Sequence, residues 1–404
     1  MCAVLVWCPH PPALPVPAPD RPRYVVDVRV APPFRTVNGR LKVTFTPNRP
    51  VRRLVFRLWP NAAGARLDVS GLRAEHPDPT TLVVRRRVAA QRHVTVTLNW
   101  RLLLPRGHLN RIARFGDGLR LGTFLPLLAW DDRRGWLTDP PVRILGETAA
   151  TPAADFDLHV HAPAGYRILA TGASLGGGRF RARAVRDVAL AVGRFDVRTA
   201  SDHGVTVRVA SIGGAPGMLG LAQDALRKLS ARYGRYPWRN YTVVVPPDLH
   251  NVGIEYPTLS FVGASRYPRL FVDHETAHQW FYSLVGNDQA RDPWLDETLA
   301  TWAQMRLGAP EPPRPSSLPP GAAKHVGAPM SYWNHHGRWY FFGVYDEGVR
   351  ALNSLGEPGA VDCALRNYVA RRAYSIAQPG DLLDELDRVI PGAARRLRAW
   401  GIHR

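Results

Sequence analysis

Hydrophobic residues in this chain change their spacing once, near the middle, and that change limits the folds open to it. From Tyr24 to about Arg198 apolar residues recur at every second position: Tyr24, Val26, Val28 and Val30, then Leu41, Val43 and Phe45, then Val94, Val96 and Leu98. Turn pairs such as Asn38-Gly39 and Pro47-Asn48 punctuate these runs, and later runs at 156–161 and 188–192 keep the rhythm. Period two with frequent turn signals reads as β-strands buried on one face. From Val205 onward the spacing turns mixed. Leu219, Ala222, Leu226, Leu229 and Tyr233 fall at steps of three and four, one face of a helix closed by Gly234. Strands are expected at 241–245 and 258–262, and helices at 268–285, 293–307 and 340–355. Asp292 is placed to cap the second of these helices, with Pro293 at its first position. The segment 309–330 reads as a proline-rich surface loop. The expected order is a leader at 1–23, a β domain at 24–200 and a mixed α/β domain at 201–404, an α+β chain of two domains.

With 404 residues, 45% of them hydrophobic and 21% charged, the chain can bury a sizeable core. Its longest apolar runs, such as 124–130, are far below the ~18 residues of a membrane-spanning helix. Collagen-like, wholly disordered and helical membrane classes are excluded.

The formal charge is +20, which raises nucleic acid or an anionic surface as a partner. Yet only Lys42, Lys228 and Lys324 are lysines, so 50 of the 53 cationic side chains are arginines. They are scattered and form no long block, as biased coding would produce, and no nucleic acid is expected. Cys2, Cys8 and Cys363 are an odd number, so no disulfide framework is expected to hold the fold. The apolar stretch 3–7, followed by Pro11, Pro12, Pro15, Pro17 and Pro19, reads as a disordered leader or the remnant of an export signal beginning upstream. That leans weakly toward export or the cell surface and otherwise leaves a cytoplasmic location.

The segment His274-Glu275-Thr276-Ala277-His278 carries the chemistry. On a helix, residues four apart lie about 40° apart around the axis and one turn along it, so both imidazoles reach one ion. Glu275, beside the first histidine, is placed to take a proton from water activated by that ion. A hydrolytic zinc site needs a third protein ligand, and Glu297, in Pro293-Trp294-Leu295-Asp296-Glu297 on the next helix, supplies it.

In His274–Trp280 and Trp294–Ala300 the chain resembles the gluzincin metallopeptidase family of aminopeptidase N and leukotriene hydrolase. Gly253-Ile254-Glu255-Tyr256-Pro257 resembles the family's exopeptidase motif, Val344–Val349 its catalytic-tyrosine segment, and Phe56–Ala62 a strand of its first domain. The resemblance spans about 24–404. It implies a saddle-like β domain followed by a thermolysin-like zinc domain, in a short form without the family's C-terminal domains. It also implies that Glu255, with Gly253, binds the substrate's free α-amino group, that Tyr345 donates to the oxyanion, and that strand 258–262 is an edge that pairs with substrate. Three departures stand out: Ile254 and Tyr256 replace Met and Asn, Asp296 replaces Asn, and 120–136 lacks the glutamine-bearing string that supplies a second amine anchor. His335 and His336 read as loop histidines.

The expected function is therefore a zinc-dependent aminopeptidase, with one Zn2+ held by His274, His278 and Glu297 and with peptides bearing a free N-terminus as substrates. An endopeptidase or other hydrolase on the same zinc is the alternative within the class. A basic binding protein with a vestigial site is the alternative outside it. Side-chain preference and oligomeric state are not encoded in these motifs.

Overall fold

The computed structural model of the chain describes residues 8, 12–62, 64–104, 111–142, 149–310 and 319–404. Part of the expected leader, 1–7 and 9–11, lies outside the described residues. The rest is anchored: Arg21 forms a two-pronged ion pair with Asp155, at 2.7 and 2.9 Å.

The alternating N-terminal runs form sheets, as their period dictates. A seven-stranded sheet has Arg23–Val30 near its centre, antiparallel to Thr36–Phe45 on one side and parallel to Ala154–His161 on the other. In Arg23–Val30, Tyr24, Val26, Val28 and Val30 point into the core while Arg23, Val25, Asp27 and Arg29 point outward. Two four-stranded sheets, one built around Val51–Arg57 and Thr81–Val88 and the other around Gly118–Gly122 and Ala189–Gly193, and a short two-stranded ladder of Trp130–Asp131 with Gly135–Trp136 accompany it. Phe56, Leu58, Leu98, Trp100 and Phe124 fill the space between layers.

A five-stranded sheet begins at Asp196–Asp202 and runs in the order Asp196–Asp202, Val205–Ser211, Asn240–Val245, Leu259–Val262, Gly253–Tyr256. Helix α1 (Met218–Tyr233) links the parallel strands Val205–Ser211 and Asn240–Val245, the usual way to join parallel neighbours. Against it pack α2 (Pro268–Ala277) and, beyond, α3 (Trp294–Arg306).

Several expectations are corrected here. Strand 258–262 is not an edge: Leu259–Val262 lies between Asn240–Val245 and Gly253–Tyr256, and the latter is the edge. Helix α2 ends at Ala277 instead of running to 285, because Tyr282 takes φ 134° and the chain folds back, with Ser283 N donating to His278 O. Asp292 does not cap α3; its carboxylate turns to Arg134 at 3.5 Å. The 340–355 segment is broken into a π-helical turn, Phe341–Asp346, and an α-helix, Glu347–Asn353. Of the 309–330 loop, 311–318 lies outside the described residues, while Ala322 and Val326 are fully buried. Finally, Cys8 and Cys363 form a disulfide across 355 positions. An odd cysteine count excludes full pairing, not a single bridge.

Candidate active site

The functional side chains come from four pieces of the second half, in chain order the edge strand, α2, α3 and the π-helical turn. Helix α2 presents His274 and His278 on one face, their Nε2 atoms 3.1 Å apart. The first turn of α3 brings Glu297 Oε2 to 3.3 Å from His274 Nε2 and 3.4 Å from His278 Nε2. Four ligands at about 2.0–2.1 Å around a tetrahedral zinc stand about 3.3–3.4 Å from one another. The triangle of donors therefore has the size of one face of that tetrahedron, and the residues fit the metal.

The rings are also held in the right tautomer. His278 Nδ1 donates to Asp296 Oδ1 at 2.7 Å, and His274 Nδ1 to Gln304 Oε1 at 3.0 Å, so both Nε2 lone pairs face the triangle. Asp296 is steadied in turn by Gln289 Nε2 at 2.7 Å. Burial pushes the Asp296 carboxyl up to about 6, with His278 opposing. Burial also acts to raise Glu297, but the adjacent His274 and His278 outweigh it and hold that carboxyl below its ordinary range. It is ionised, as a ligand must be.

Glu275 is buried on α2, and its Oε2 has no hydrogen-bond partner among the described residues. Burial, with Glu255 and Glu297 close by, drives its pKa well above the usual carboxylate range. Carboxylate oxygens of Glu275 and Glu255 lie with a His278 ring nitrogen inside 4.8 Å of one another. Gly253 makes that convergence possible, since a Cβ there would stand 2.1 Å from Glu275 Oε1. Glu255 is buried two residues along the same edge strand, with Arg111 Nη2 3.6 Å from its Oε1. Burial raises its pKa and Arg111 opposes.

Tyr345 stacks on His274, ring centroids 5.9 Å apart and planes 15° apart. Its π-helical turn is held by Thr298 Oγ1, which donates to Val344 O at 2.6 Å. His336, in contrast, stacks on Tyr332 at 4.3 Å and accounts for itself locally.

Sequence reading missed several supporting residues. Gln279 ties the end of α2 to the edge hairpin: it accepts from Thr258 N at 2.8 Å and donates to Tyr256 O at 3.0 Å. Those bonds hold Thr258 at φ 62°, a conformation a β-branched residue rarely adopts. The glutamine directly after His278 was the available signal. Arg111, one of many scattered arginines 144 positions from Glu255, carried none.

Comparison with known proteins agrees with this fold. The fold matches a crystal structure of the M1 zinc metallopeptidase from Deinococcus radiodurans over 97% of this chain and 96% of that one, with TM-score 0.66 and 20% identity. A two-domain M1 zinc metallopeptidase variant bound to L-arginine matches with TM-score 0.67 and 20% identity, over 97% and 96% of the two chains. Aminopeptidase RNPEPL1 of Mus musculus is 36% identical over 94 residues, covering 22% of this chain and 13% of its own length. The shared fold is that of the M1 zinc metallopeptidases. Aminopeptidase B of Rattus norvegicus, 31% identical over 94 residues, is similar across 22% of this chain and 14% of its own length. The chain thus spans only about an eighth of the length of the curated relatives it matches. No protein-family model matches the chain. None of the helices among the described residues is long and apolar enough to cross a membrane.

Proposed function

We propose that this chain is a zinc-dependent aminopeptidase that removes residues from the free N-terminus of peptides. The observation that carries the reading is the donor triangle of His274, His278 and Glu297, with edges of 3.1, 3.3 and 3.4 Å, beside the unpartnered carboxylate oxygen of Glu275. The relatives named aminopeptidases support it.

One Zn2+ would be held by those three residues, where it supplies Lewis acidity toward a peptide carbonyl and acidifies water. Glu275 takes the proton of the attacking water and passes it to the leaving amine. Its raised pKa suits both halves of that task. The Tyr345 hydroxyl donates to the oxygen that gains negative charge, and burial with the nearby Glu297 keeps that hydroxyl protonated. Glu255 Oε1, which has no hydrogen bond among the described residues, accepts from the substrate ammonium. The substrate backbone lies along the edge strand Gly253–Tyr256, extending the sheet by one strand.

Hydrolysis of aminoacyl anilides tests the reading. Activity should vanish with a chelator, return with zinc, and be lost on N-acetylated substrates. The Glu275→Gln variant should bind zinc yet lose about 10²–10⁴ in rate. Chelator-insensitive activity would overturn the metal mechanism, and equal turnover of acetylated peptides would make the chain an endopeptidase.

A further inference from the structure

Away from this site, the outward face of the seven-stranded sheet gathers three side chains with metal-binding donors. His159 and His161 are alternate residues of strand Ala154–His161 and share one face. Asp27, on the parallel neighbour Arg23–Val30, stands in register with His159. We propose that Asp27, His159 and His161 form a second, surface binding site for a divalent transition-metal ion such as zinc.

The side chains converge more than strand geometry requires. Residues two apart on a strand have Cα atoms about 6.6 Å apart, yet the two imidazole centroids lie only 3.9 Å apart. Both rings lean over the same carboxylate oxygen. His161 Nε2 is 2.8 Å from Asp27 Oδ2, and His159 Nδ1 is 3.9 Å from it. All three donor atoms fall within 4.8 Å of one another. The other oxygen, Asp27 Oδ1, faces Arg29 Nε at 3.5 Å, which fixes the carboxylate and leaves Oδ2 to the histidines.

The donor chemistry selects the ion. Two imidazoles and one carboxylate suit zinc, nickel or copper and do not suit calcium or magnesium, which take all-oxygen shells. Exposure sets the strength. The three side chains are 37–40% exposed, so water completes the coordination and the site is weaker than the enclosed triangle of His274, His278 and Glu297. Arg179, opposite His159 on the next strand, adds a positive charge nearby and lowers the affinity further. Zinc therefore fills this site second.

Equilibrium dialysis of the full chain against zinc at micromolar free concentration tests the proposal independently of any activity. Wild type should take two equivalents, the H159Q/H161Q variant one, and an H274A/H278A variant one. D27N, which keeps both histidines, should weaken the second equivalent by about tenfold or more, since even outer partners of ligands are worth about 10–100-fold. Cobalt substitution gives a second readout, because the visible bands of the second equivalent should disappear in H159Q/H161Q. One equivalent in wild type, or two in H159Q/H161Q, would overturn the site and leave the trio as a hydrogen-bonded surface cluster.

Discussion

Gly253 and Glu275 touch: the edge strand passes so close to helix α2 that a single added methyl group on Gly253 would stand 2.1 Å from Glu275 Oε1 and 2.3 Å from its Cδ. The glycine is there for space, since its backbone lies in an ordinary strand. Gly253→Ala must push the Glu275 carboxylate away or lift the strand. A displacement near 1 Å at a reacting group costs about 10²-fold in rate. We expect kcat to fall by that order while zinc content stays at the wild-type value. Wild-type kcat in this variant would mean that Glu275 has room to spare.

His278 depends on Asp296 for its orientation, through the 2.7 Å bond to Nδ1. Asp296→Ala removes that acceptor and strands Gln289. Partners of this kind are worth about 10–100-fold in metal affinity. Competition against a chelator should show weaker zinc binding by that factor, with near-normal turnover once zinc saturates the site. Asp296→Asn keeps an acceptor for Nδ1 and should lose much less.

Tyr345 lies in the π-helical turn Phe341–Asp346, packs against Tyr340 and Phe341, and stacks on His274. Tyr345→Phe keeps the ring stacking and deletes only the hydroxyl. Loss of one oxyanion donor costs about 10²–10³ in kcat, and KM should hardly move. A rise in KM at constant kcat would assign Tyr345 to substrate binding instead.

Asp187 predicts a pH effect on stability. Burial pushes its carboxyl up to about 6, although Thr123 Oγ1 and Val188 N each donate to it at 2.6 Å. An acid raised above its unfolded value keeps its proton when folded at pH values where the unfolded chain has lost it. Its contribution to stability is therefore present below about pH 4 and declines as pH rises to about 6, by about 3 kcal/mol in full. Asp187→Asn cannot ionise. Urea unfolding at pH 4 and pH 7 should show the variant gaining on wild type by that order at the higher pH. A pH-independent difference would contradict the assignment.

Local geometry made much of the site readable in advance. His274 and His278 share a helix, and a helix brings residues four apart together whatever surrounds it. The first-turn position of Glu297 follows in the same way from the start of α3. The alternation of the strands was legible for a similar reason, since a half-buried strand imposes period two on its own sequence, but their ends were not: Asn38-Gly39, read as a turn, lies inside strand Thr36–Phe45.

What eluded the sequence depends on partners far along the chain. The order of strands decides that Gly253–Tyr256 is the edge and Leu259–Val262 is covered, and both segments look equally apolar when read alone. Arg111 meets Glu255 across 144 positions, His161 meets Asp27 across 134, and Cys8 meets Cys363 across 355. The sequence by itself determined the change of period near the middle, the helical segment bearing the histidines and the residue types of the donor triangle, because short-range geometry sets these. Only the tertiary structure decided which strand forms the sheet edge, where α2 stops and which distant side chains steady the site. Those outcomes follow from how separate elements pack and which loops close, and no local period records them.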